Sequence, residues 1–238
     1  MALDTRKKRE ESVRAIFSHI SSRYTLANKW MTWGQDAKWR QHVLDLARLP
    51  MDGSLLDIGT GTGDLAITAT QMGRKLLAVG ADFSPEMMRT GRQREGGGQI
   101  RWLVANALEL PFANDSFDAV VSGYLLRNTV DVDRALAEQY RVLKWDGRMV
   151  CLDTSPPPGD AWHLPVRLYL KYAIPLIGGM ISGDKKAYRY LAESTQSFFT
   201  TEQLKARMVR VGFEDVGVQR FMSGAMAILW GHKKSSGT

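Results

Sequence analysis

The sequence predicts an α/β protein in which seven strands form one mostly parallel sheet. From residue 53 to about residue 155, short apolar runs alternate with helix-like segments, a pattern typical of a parallel sheet covered by helices. The apolar run at residues 55–58 breaks into closely spaced glycines and is followed at once by a helix-like segment. Two strand-like runs near the C-terminus follow the last predicted helix, and we expect them to bring an antiparallel strand to the sheet edge.

The composition fits a single intracellular domain. The chain has 238 residues and a hydrophobic fraction of 44%, enough to bury the core of one α/β domain with added helices. Neither a run of eighteen uncharged apolar residues nor a signal peptide is visible, so we expect a soluble, cytoplasmic protein. The single cysteine, Cys151, is expected to be a buried apolar filler. The net charge of +7 is compatible with attraction to nucleic acid or to anionic lipid, and charge alone does not choose between them.

The N-terminal part predicts helices ahead of the sheet. Residues 1–12 are dense in charge and predict a flexible arm or the solvated start of a helix. Apolar side chains recur at helical spacing from Val13, and three tryptophans follow at positions 30, 33 and 39. We interpret residues 13–50 as a helical layer on the core, as a lid over an apolar substrate, or as both.

The elements after residue 50 follow in a regular order. Residues 51–155 are expected to form the cofactor-binding half, in which the Asp146-Gly147 pair predicts a turn into the fifth strand. Five strands are predicted at residues 54–58, 75–82, 100–107, 117–124 and 147–153, with helices at 65–72, 85–95 and 132–143.

A helical insert and a strand hairpin complete the prediction. Residues 154–160 are too rich in proline for regular structure, and Pro165 and Pro175 interrupt a long apolar run, which predicts kinked or broken helices within an insert at residues 156–198. Residues 199–233 are expected to form a helix and two strands, at 215–221 and 225–231. The helix is predicted because Thr200 and Gln203 stand at capping-box spacing; residues 234–238 are a polar tail.

The glycine turn indicates the ligand. Gly59, Gly61 and Gly63 are spaced as GxGxG, whereas the dinucleotide fingerprint has its third glycine where this chain has Asp64. This spacing points away from NAD and suits S-adenosylmethionine, whose charged groups need a close backbone and a nearby carboxylate, for which Asp57 is a candidate. The helix after the turn is also expected to favour a negatively charged group at its N-terminus.

Asp82 is the second candidate carboxylate. It ends the second predicted strand, about twenty residues beyond the glycines, the offset at which a carboxylate accepts ribose hydroxyls. The alternative is an aspartate that caps the turn before Ser84.

Longer stretches carry a family resemblance. LDIGTGTGDLA, GADFSPEMM, NALELPFANDSFDAVV and RVLKWDGRMVCLD resemble class I S-adenosylmethionine-dependent methyltransferases. LLRNTVDVDRAL, IPLIGGMISGDKKAYRYLAES and FSHISSRYTLANKWMTWG are similar to the ubiquinone/menaquinone biosynthesis C-methyltransferases of the UbiE/MenG type. The resemblance covers about residues 13–233. It implies one domain with the Rossmann-like, doubly wound class I fold, and methylation of a ring carbon on a prenylated benzoquinol or naphthoquinol such as demethylmenaquinol.

The resemblance and the turn together give the expected site. Gly123 stands where the family often has serine, so a cofactor contact there must use the backbone. The expected cofactor contacts are Asp57, Gly59, Thr60, Gly61, Thr62, Gly63, Asp82, Phe83, Asn106, Ala107, Ser122 and Gly123. The expected substrate contacts are Tyr24, Asn28, Asn128, Tyr172 and Tyr190.

Arg127 is the expected catalytic residue. A ring carbon becomes nucleophilic when an adjacent hydroxyl loses its proton, and a guanidinium beside the cofactor would stabilise the resulting oxyanion. The alternative is a structural ion pair with Asp131 or Asp133. His163 and the three tyrosines remain alternatives for the proton acceptor, and no two histidines stand at metal-ligand spacing, so no metal is predicted.

The prenyl tail of such a substrate needs an apolar channel. Residues 164–180 and the three tryptophans are expected to supply it, unless they serve ordinary core packing. We expect peripheral contact with an anionic membrane through basic residues that border this segment, and a homodimer stays open. These basic residues are Arg167, Lys171, Lys185, Lys186 and Arg189.

Two alternative functions remain. One is a methyltransferase of the same fold that acts on another small lipophilic or phenolic acceptor. The other is a non-catalytic protein that binds a cofactor or nucleic acid. No basic helix with interleaved aromatic residues is visible, so we expect no nucleic-acid partner.

Overall fold

The sheet is mixed and mostly parallel. The computed structural model describes residues 2–73, 75–156, 164–182 and 184–235. In this part of the chain the strands are β1 (Ser54–Ile58), β2 (Leu77–Asp82), β3 (Arg101–Val104), β4 (Phe117–Gly123), β5 (Leu143–Thr154), β6 (Glu214–Phe221) and β7 (Met226–His232). Their order is β3-β2-β1-β4-β5-β7-β6, and of these strands β7 runs opposite to the other six.

The C-terminal hairpin places its second strand inward. β7 is almost entirely buried, whereas β6 carries exposed polar side chains. The more apolar strand therefore takes the place next to β5, and the polar one forms the edge. The predicted sheet is confirmed, with its antiparallel strand one place inside the edge.

Helices cover both faces of the sheet and one end of it. They are α1 (Ala2–Ile20), α2 (Tyr24–Met31), α3 (Asp36–Ala47), α4 (Asp64–Thr70), α5 (Pro85–Arg92), α6 (Val132–Val142), α7 (Leu164–Leu168), α8 (Ile174–Ser182), α9 (Lys185–Gln196) and α10 (Thr201–Val211). Because α1 starts at Ala2, the charged N-terminal segment is the start of a helix, one of the two expected alternatives.

Several helix starts follow from their capping residues. The Ser84 side chain accepts a hydrogen bond from the Met87 amide at the start of α5. The predicted capping box of Thr200 and Gln203 is confirmed at the start of α10.

A π-helical turn (Tyr169–Ala173) joins α7 to α8. Here the Ile174 amide donates to the carbonyl of Tyr169, five residues earlier. Pro175 has no amide hydrogen for the carbonyl of Lys171, so the α-helical pattern is interrupted where the prolines predicted it.

The predicted turn at Asp146-Gly147 is wrong. β5 begins at Leu143, directly after α6, and runs through both residues. The pairing with β4 shifts between Leu143 and Arg148, so the extra residues form a bulge. Asp146 tolerates the required positive φ of 61°, and its amide donates to the carbonyl of Lys233 at 2.6 Å.

The N-terminal layer and the insert pack on one another at the carboxyl end of the sheet. Their shared core cluster contains Val13, Phe17, Ile20, Ala27, Met31, Ala187, Tyr188 and Leu191, together with Met87 of α5. We call α1, α2 and α7 to α9 the helical cover. The two other large clusters lie between the sheet and its helices, so the cover adds to the main core without replacing any part of it.

Candidate active site

A cleft of about 710 Å³ lies between the helical cover and the carboxyl ends of the strands. It is centred on β1 and β4, between which the strand order reverses, the place where open α/β sheets bind ligands. The lining residues are Phe17, Asn28, Arg40, Asp57, Gly59, Thr60, Gly61, Asp64, Leu65, Asp82, Phe83, Met87, Gly123, Tyr124, Leu125, Asn128 and Leu152.

The glycine turn is fixed by backbone contacts. The amides of Gly59 and Thr60 donate to the carbonyl of Ala81 at 2.8 and 3.1 Å. Gly59 and Gly61 have positive φ angles of 66° and 55°, and a Cβ on Gly59 would lie 2.8 Å from the Leu125 side chain. Glycine is therefore required at Gly59 by both conformation and space, and the turn offers bare backbone to the cleft.

Asp57 has one uncommitted oxygen. Its Oδ2 accepts hydrogen bonds from the Thr60 hydroxyl at 2.7 Å and the Ala66 amide at 3.2 Å. Its Oδ1 is buried and has no hydrogen-bond partner among the described residues. Desolvation raises the pKa of Asp57 to about 7. A buried carboxylate oxygen without a donor, beside a ligand cleft, fits a cationic group.

Asp82 shapes the turn and also lines the cleft. Its two oxygens accept from the amides of Gly61 and Ser84, each at 2.8 Å. Burial raises its pKa, against the opposing effect of these hydrogen bonds. Asp82 thus caps the turn before Ser84, as the alternative interpretation expected, and it also lines the cleft.

An ion-pair network at the cleft was not predicted. Arg40 of α3 contacts Asp36 and lies 3.3 Å from Asp64, which also pairs with Arg94 at 2.8 Å. Asp64 is the first residue of the short helix α4, so a negative charge of the chain itself occupies that helix start. The i, i+4 spacing of Asp36 and Arg40 was a local signal, whereas nothing local links Arg40 to Asp64.

A second cavity of about 550 Å³ adjoins the cleft and shares Asn28 and Tyr124 with it. Most of its other side chains are apolar, and its single charged residue is Arg127. The lining residues are Asn28, Met31, Thr32, Tyr124, Arg127, Thr154, Ile174, Leu191, Thr195, Met222, Ala225 and Met226.

Arg127 is buried and held by three neighbours. Its Nη1 donates to the hydroxyls of Thr154 and Thr195, both at 3.0 Å. Its backbone amide donates to Asp153, and its Nε lies 3.6 Å from the same carboxylate without a hydrogen bond. Burial raises the pKa of Asp153, and the guanidinium opposes that rise. The charge of Arg127 is therefore balanced by Asp153, while the N–H of its Nε makes no hydrogen bond among the described residues.

The expected alternative partners of Arg127 are wrong. Asp131 accepts from the Arg134 amide at the start of α6, and Asp133 pairs with Arg207. Both carboxylates are engaged at the start of α6, and the carboxylate beside the guanidinium is that of Asp153 of β5.

The predicted cofactor residues divide into two groups. Seven of them line the cleft: Asp57, Gly59, Thr60, Gly61, Asp82, Phe83 and Gly123. Five do not: Thr62, Gly63, Asn106, Ala107 and Ser122. Ser122 is buried inside β4, opposite Cys151. Asn106 is exposed, and its side-chain oxygen accepts a hydrogen bond from the Leu108 amide. This local turn follows β3, which ends at Val104 and not at residue 107 as predicted.

The predicted substrate residues also divide. Asn28 lines both cavities, and Asn128 donates to the Tyr124 carbonyl and accepts from the Tyr190 hydroxyl at 3.3 Å. Tyr172 is 60% exposed on the outer side of the insert and reaches neither cavity. The side chain of Tyr24 and all of His163 lie outside the described residues.

The tryptophans do not line a tail channel. Trp30 and Trp33 are exposed to solvent, and Trp39 is buried in the core between α3 and the sheet. Of residues 164–180, Ile174 lines the second cavity, and Leu191 farther along the insert lines it too. In the described ranges, no three or more potential metal ligands lie together.

Known proteins match both the sequence and the fold. The sequence matches the ubiE/COQ5 methyltransferase family over residues 5–233. A Desulfotalea psychrophila protein named ubiquinone/menaquinone biosynthesis C-methyltransferase UbiE is 45% identical over 93% of this chain and 90% of its own. A Thermus thermophilus demethylmenaquinone methyltransferase is 43% identical over 83% of this chain and 91% of its own.

The fold comparison agrees. The structure of a Thermotoga maritima S-adenosylmethionine-dependent methyltransferase matches with a TM-score of 0.59 at 22% identity, over 92% of this chain and 100% of its own. The expected fold class is confirmed.

Proposed function

The chain belongs to the ubiE/COQ5 methyltransferase family, and on this premise we propose that it methylates a ring carbon of a prenylated quinol in menaquinone or ubiquinone biosynthesis. It is an S-adenosylmethionine-dependent methyltransferase. The observation that carries the proposal is a buried arginine in an apolar cavity directly beside the cofactor cleft.

The residues of the cleft fit S-adenosylmethionine. The free oxygen of Asp57 suits the ammonium of its amino-acid part, and the glycine turn admits close backbone contact. Asp82, which lines the cleft, would accept the ribose hydroxyls. Arg40 is the cation that would hold the carboxylate, because among the described residues that line the cleft it is the basic one. When bound, the cofactor supplies an electrophilic methyl group.

The second cavity fits the acceptor ring. Most of its lining is apolar and would suit an aromatic ring, and the guanidinium of Arg127 would stabilise the oxyanion of a deprotonated ring hydroxyl. This charge spreads onto the neighbouring ring carbon and makes it nucleophilic. The ring carbon must then lose a proton to a water molecule, which Asn128 would hold, since it lines the adjoining cofactor cleft and is oriented by a hydrogen bond from the Tyr190 hydroxyl.

A naphthoquinol is the favoured acceptor. The names of the Desulfotalea and Thermus relatives have only menaquinone synthesis in common. Because a prenylated quinol dissolves in lipid, we propose that the reaction takes place at a membrane surface.

The test is a comparison of acceptors. The purified protein is incubated with labelled S-adenosylmethionine and reduced demethylmenaquinone, a demethylated benzoquinol precursor, or unrelated lipophilic phenols. Mass spectrometry then locates the methyl group. We expect ring C-methylation of the naphthoquinol. Methylation of a phenol alone would favour a different acceptor on the same fold.

The role of Arg40 gives a separate prediction. We expect Arg40→Gln to weaken S-adenosylmethionine binding by about ten-fold or more, since a charge-assisted hydrogen bond contributes about 1.5–3 kcal/mol. Binding of 5′-methylthioadenosine, which lacks the carboxylate, should not change. Isothermal titration calorimetry measures both affinities. The comparison is Arg94→Gln, because Arg94 also pairs with Asp64 and does not line the cleft; since it donates to the Thr62 carbonyl of the turn, any loss should be equal for the two ligands. Equal losses for both ligands in Arg40→Gln would exclude a carboxylate contact.

A further inference from the structure

The insert carries an apolar segment that lies on the surface. Leu164–Ile181 is one helical stretch, within the described ranges, that is long and apolar enough to cross a membrane by length and composition. Its packing opposes such a crossing, because a Cβ on Gly178 would lie 2.1 Å from the Tyr188 ring of α9. This close contact holds α8 against the rest of the cover, so only its opposite side is free to meet a partner.

That free side presents a row of apolar residues at four-residue spacing. The row consists of Leu164, Leu168, Tyr172, Leu176 and Met180, whose side chains are between 47% and 74% exposed. Residues four apart lie one above the other on a helix, with a gradual drift around the axis. The wider π-helical turn in the middle of the row reduces this drift. The five side chains therefore share one surface.

A second apolar row lies beside the first. Leu26, Trp30 and Trp33, on and just after α2, are 51% to 78% exposed. Two contacts join this segment to the insert at opposite ends. Arg23 donates to the Ile181 carbonyl at 2.7 Å, and the Tyr169 hydroxyl donates to the Met31 carbonyl at 2.8 Å. The helices thus run antiparallel side by side, and we call the eight exposed apolar residues of the two rows the outer face.

The two segments that carry the outer face contain charges of one sign. Residues 21–35 and 164–182 contain four basic residues and no acidic residue. Lys29 and Lys171 are exposed, and the Lys171 ammonium lies 5.2 Å from the centroid of the Tyr172 ring. Tryptophan, tyrosine and lysine beside an apolar stripe are the composition of a surface that binds at the lipid headgroup level.

The other side of the same helices lines the acceptor cavity. Asn28 and Met31 of α2 and Ile174 of α8 face that cavity, while their neighbours in sequence form the outer face. We infer that the outer face docks on an anionic phospholipid bilayer and that the prenyl tail reaches the cavity between α2 and α8. This inference rests on the proposed function only for the tail.

A second copy of the chain is the competing occupant. In a two-fold contact the same surface meets itself, so the exposed Lys29 and Lys171 of one copy would face the same lysines of the other. Anionic lipid headgroups complement the same charges. The bilayer is therefore the better match.

Vesicle sedimentation tests the docking surface. The wild-type protein should bind vesicles containing phosphatidylglycerol at low salt, and bind phosphatidylcholine vesicles more weakly. The double variant Leu176→Ser/Met180→Ser should lose about ten-fold or more in binding. The matched control Met51→Ser/Val209→Ser removes two similarly exposed apolar residues elsewhere and should bind normally.

Two further measurements separate the outcomes. Turnover of a tail-free quinol should be the same in the double variant and in the wild-type protein. If neither protein turned it over, the proposed function would be overturned, whereas the result for vesicle binding would still stand. Equal vesicle binding by the double variant and the wild-type protein would overturn the docking surface. Light scattering gives a second contradicting outcome. If the wild-type protein were a dimer that did not bind anionic vesicles, and the double variant were a monomer, the outer face would be a dimer interface.

Discussion

Arg127→Gln is expected to lower kcat for methyl transfer by about 100- to 1,000-fold, the loss typical of removing one donor to an oxyanion. The dissociation constant of S-adenosylmethionine should stay within about three-fold, because Arg127 lines the acceptor cavity and not the cofactor cleft. Glutamine keeps a hydrogen-bond donor near Thr154 and Thr195 but removes the positive charge. Single-turnover kinetics and calorimetry measure the two quantities.

Arg127→Lys separates a catalytic arginine from a purely structural one. Arg127→Gln leaves Asp153 buried without its cation, so this variant should also be less stable at neutral pH. Arg127→Lys keeps the charge but not the planar fork, and should therefore retain stability while kcat still falls.

The pH profile separates the two roles further. If the guanidinium promotes ionisation of the ring hydroxyl, the rise of kcat with pH moves to higher pH in Arg127→Gln. An unchanged profile, or full turnover at normal stability, would remove Arg127 from the mechanism.

The sheet and the cofactor turn could be predicted because their signals are local. A buried parallel strand is a short apolar run, and the close spacing of Gly59 and Gly61 predicts the tight backbone turn that the structure has there. Capping pairs such as Thr200 and Gln203 lie three residues apart, so one stretch of sequence contains the whole interaction.

The features that were missed depend on contacts between distant segments. Arg40 meets Asp64, and Arg127 meets Asp153, across different elements of the fold. The nearby Asp131 and Asp133 were closer in sequence to Arg127, but both are engaged at the start of α6. Sequence proximity therefore suggested the wrong partner, because charges pair by position in the fold.

The apolar segments show a related limit. Helical spacing predicts that one side of a helix is apolar, but it does not tell what that side contacts. Trp30 and Trp39 look alike in the sequence, yet Trp30 is on the outer face and Trp39 is in the core.

Asp57→Asn is expected to weaken S-adenosylmethionine binding by about 10- to 100-fold and to stabilise the ligand-free protein at pH 8. The binding loss follows because asparagine cannot provide a carboxylate for the ammonium group. In the wild-type protein, affinity should fall as the pH drops below about 7, where Asp57 becomes protonated. Calorimetry across pH 5.5–8.5 measures this dependence, which Asp57→Asn should lose.

The stability effect has a defined sign. Desolvation raises the pKa of Asp57 from 3.8 to about 7, so between these values the folded protein holds a proton that the unfolded chain has released. The free energy of unfolding therefore decreases as the pH rises through this range. The asparagine of the variant carries no charge. The variant should therefore melt at about the same temperature as the wild-type protein at pH 4 and at a higher temperature at pH 8. Each kcal/mol of difference in the free energy of unfolding raises the melting temperature by about 2–4 °C.

Asp118→Asn provides the opposite case. Burial alone would raise the pKa of Asp118, but hydrogen bonds from Ser54 and Lys144 lower it, so its carboxylate stabilises the fold at neutral pH. That variant should melt lower at pH 8 and bind the cofactor normally, because Asp118 lies outside the cleft. If Asp57→Asn also melted lower at pH 8, the carboxylate of Asp57 would be stabilised in the ligand-free fold. The free oxygen would then not be a site reserved for the ligand's cation.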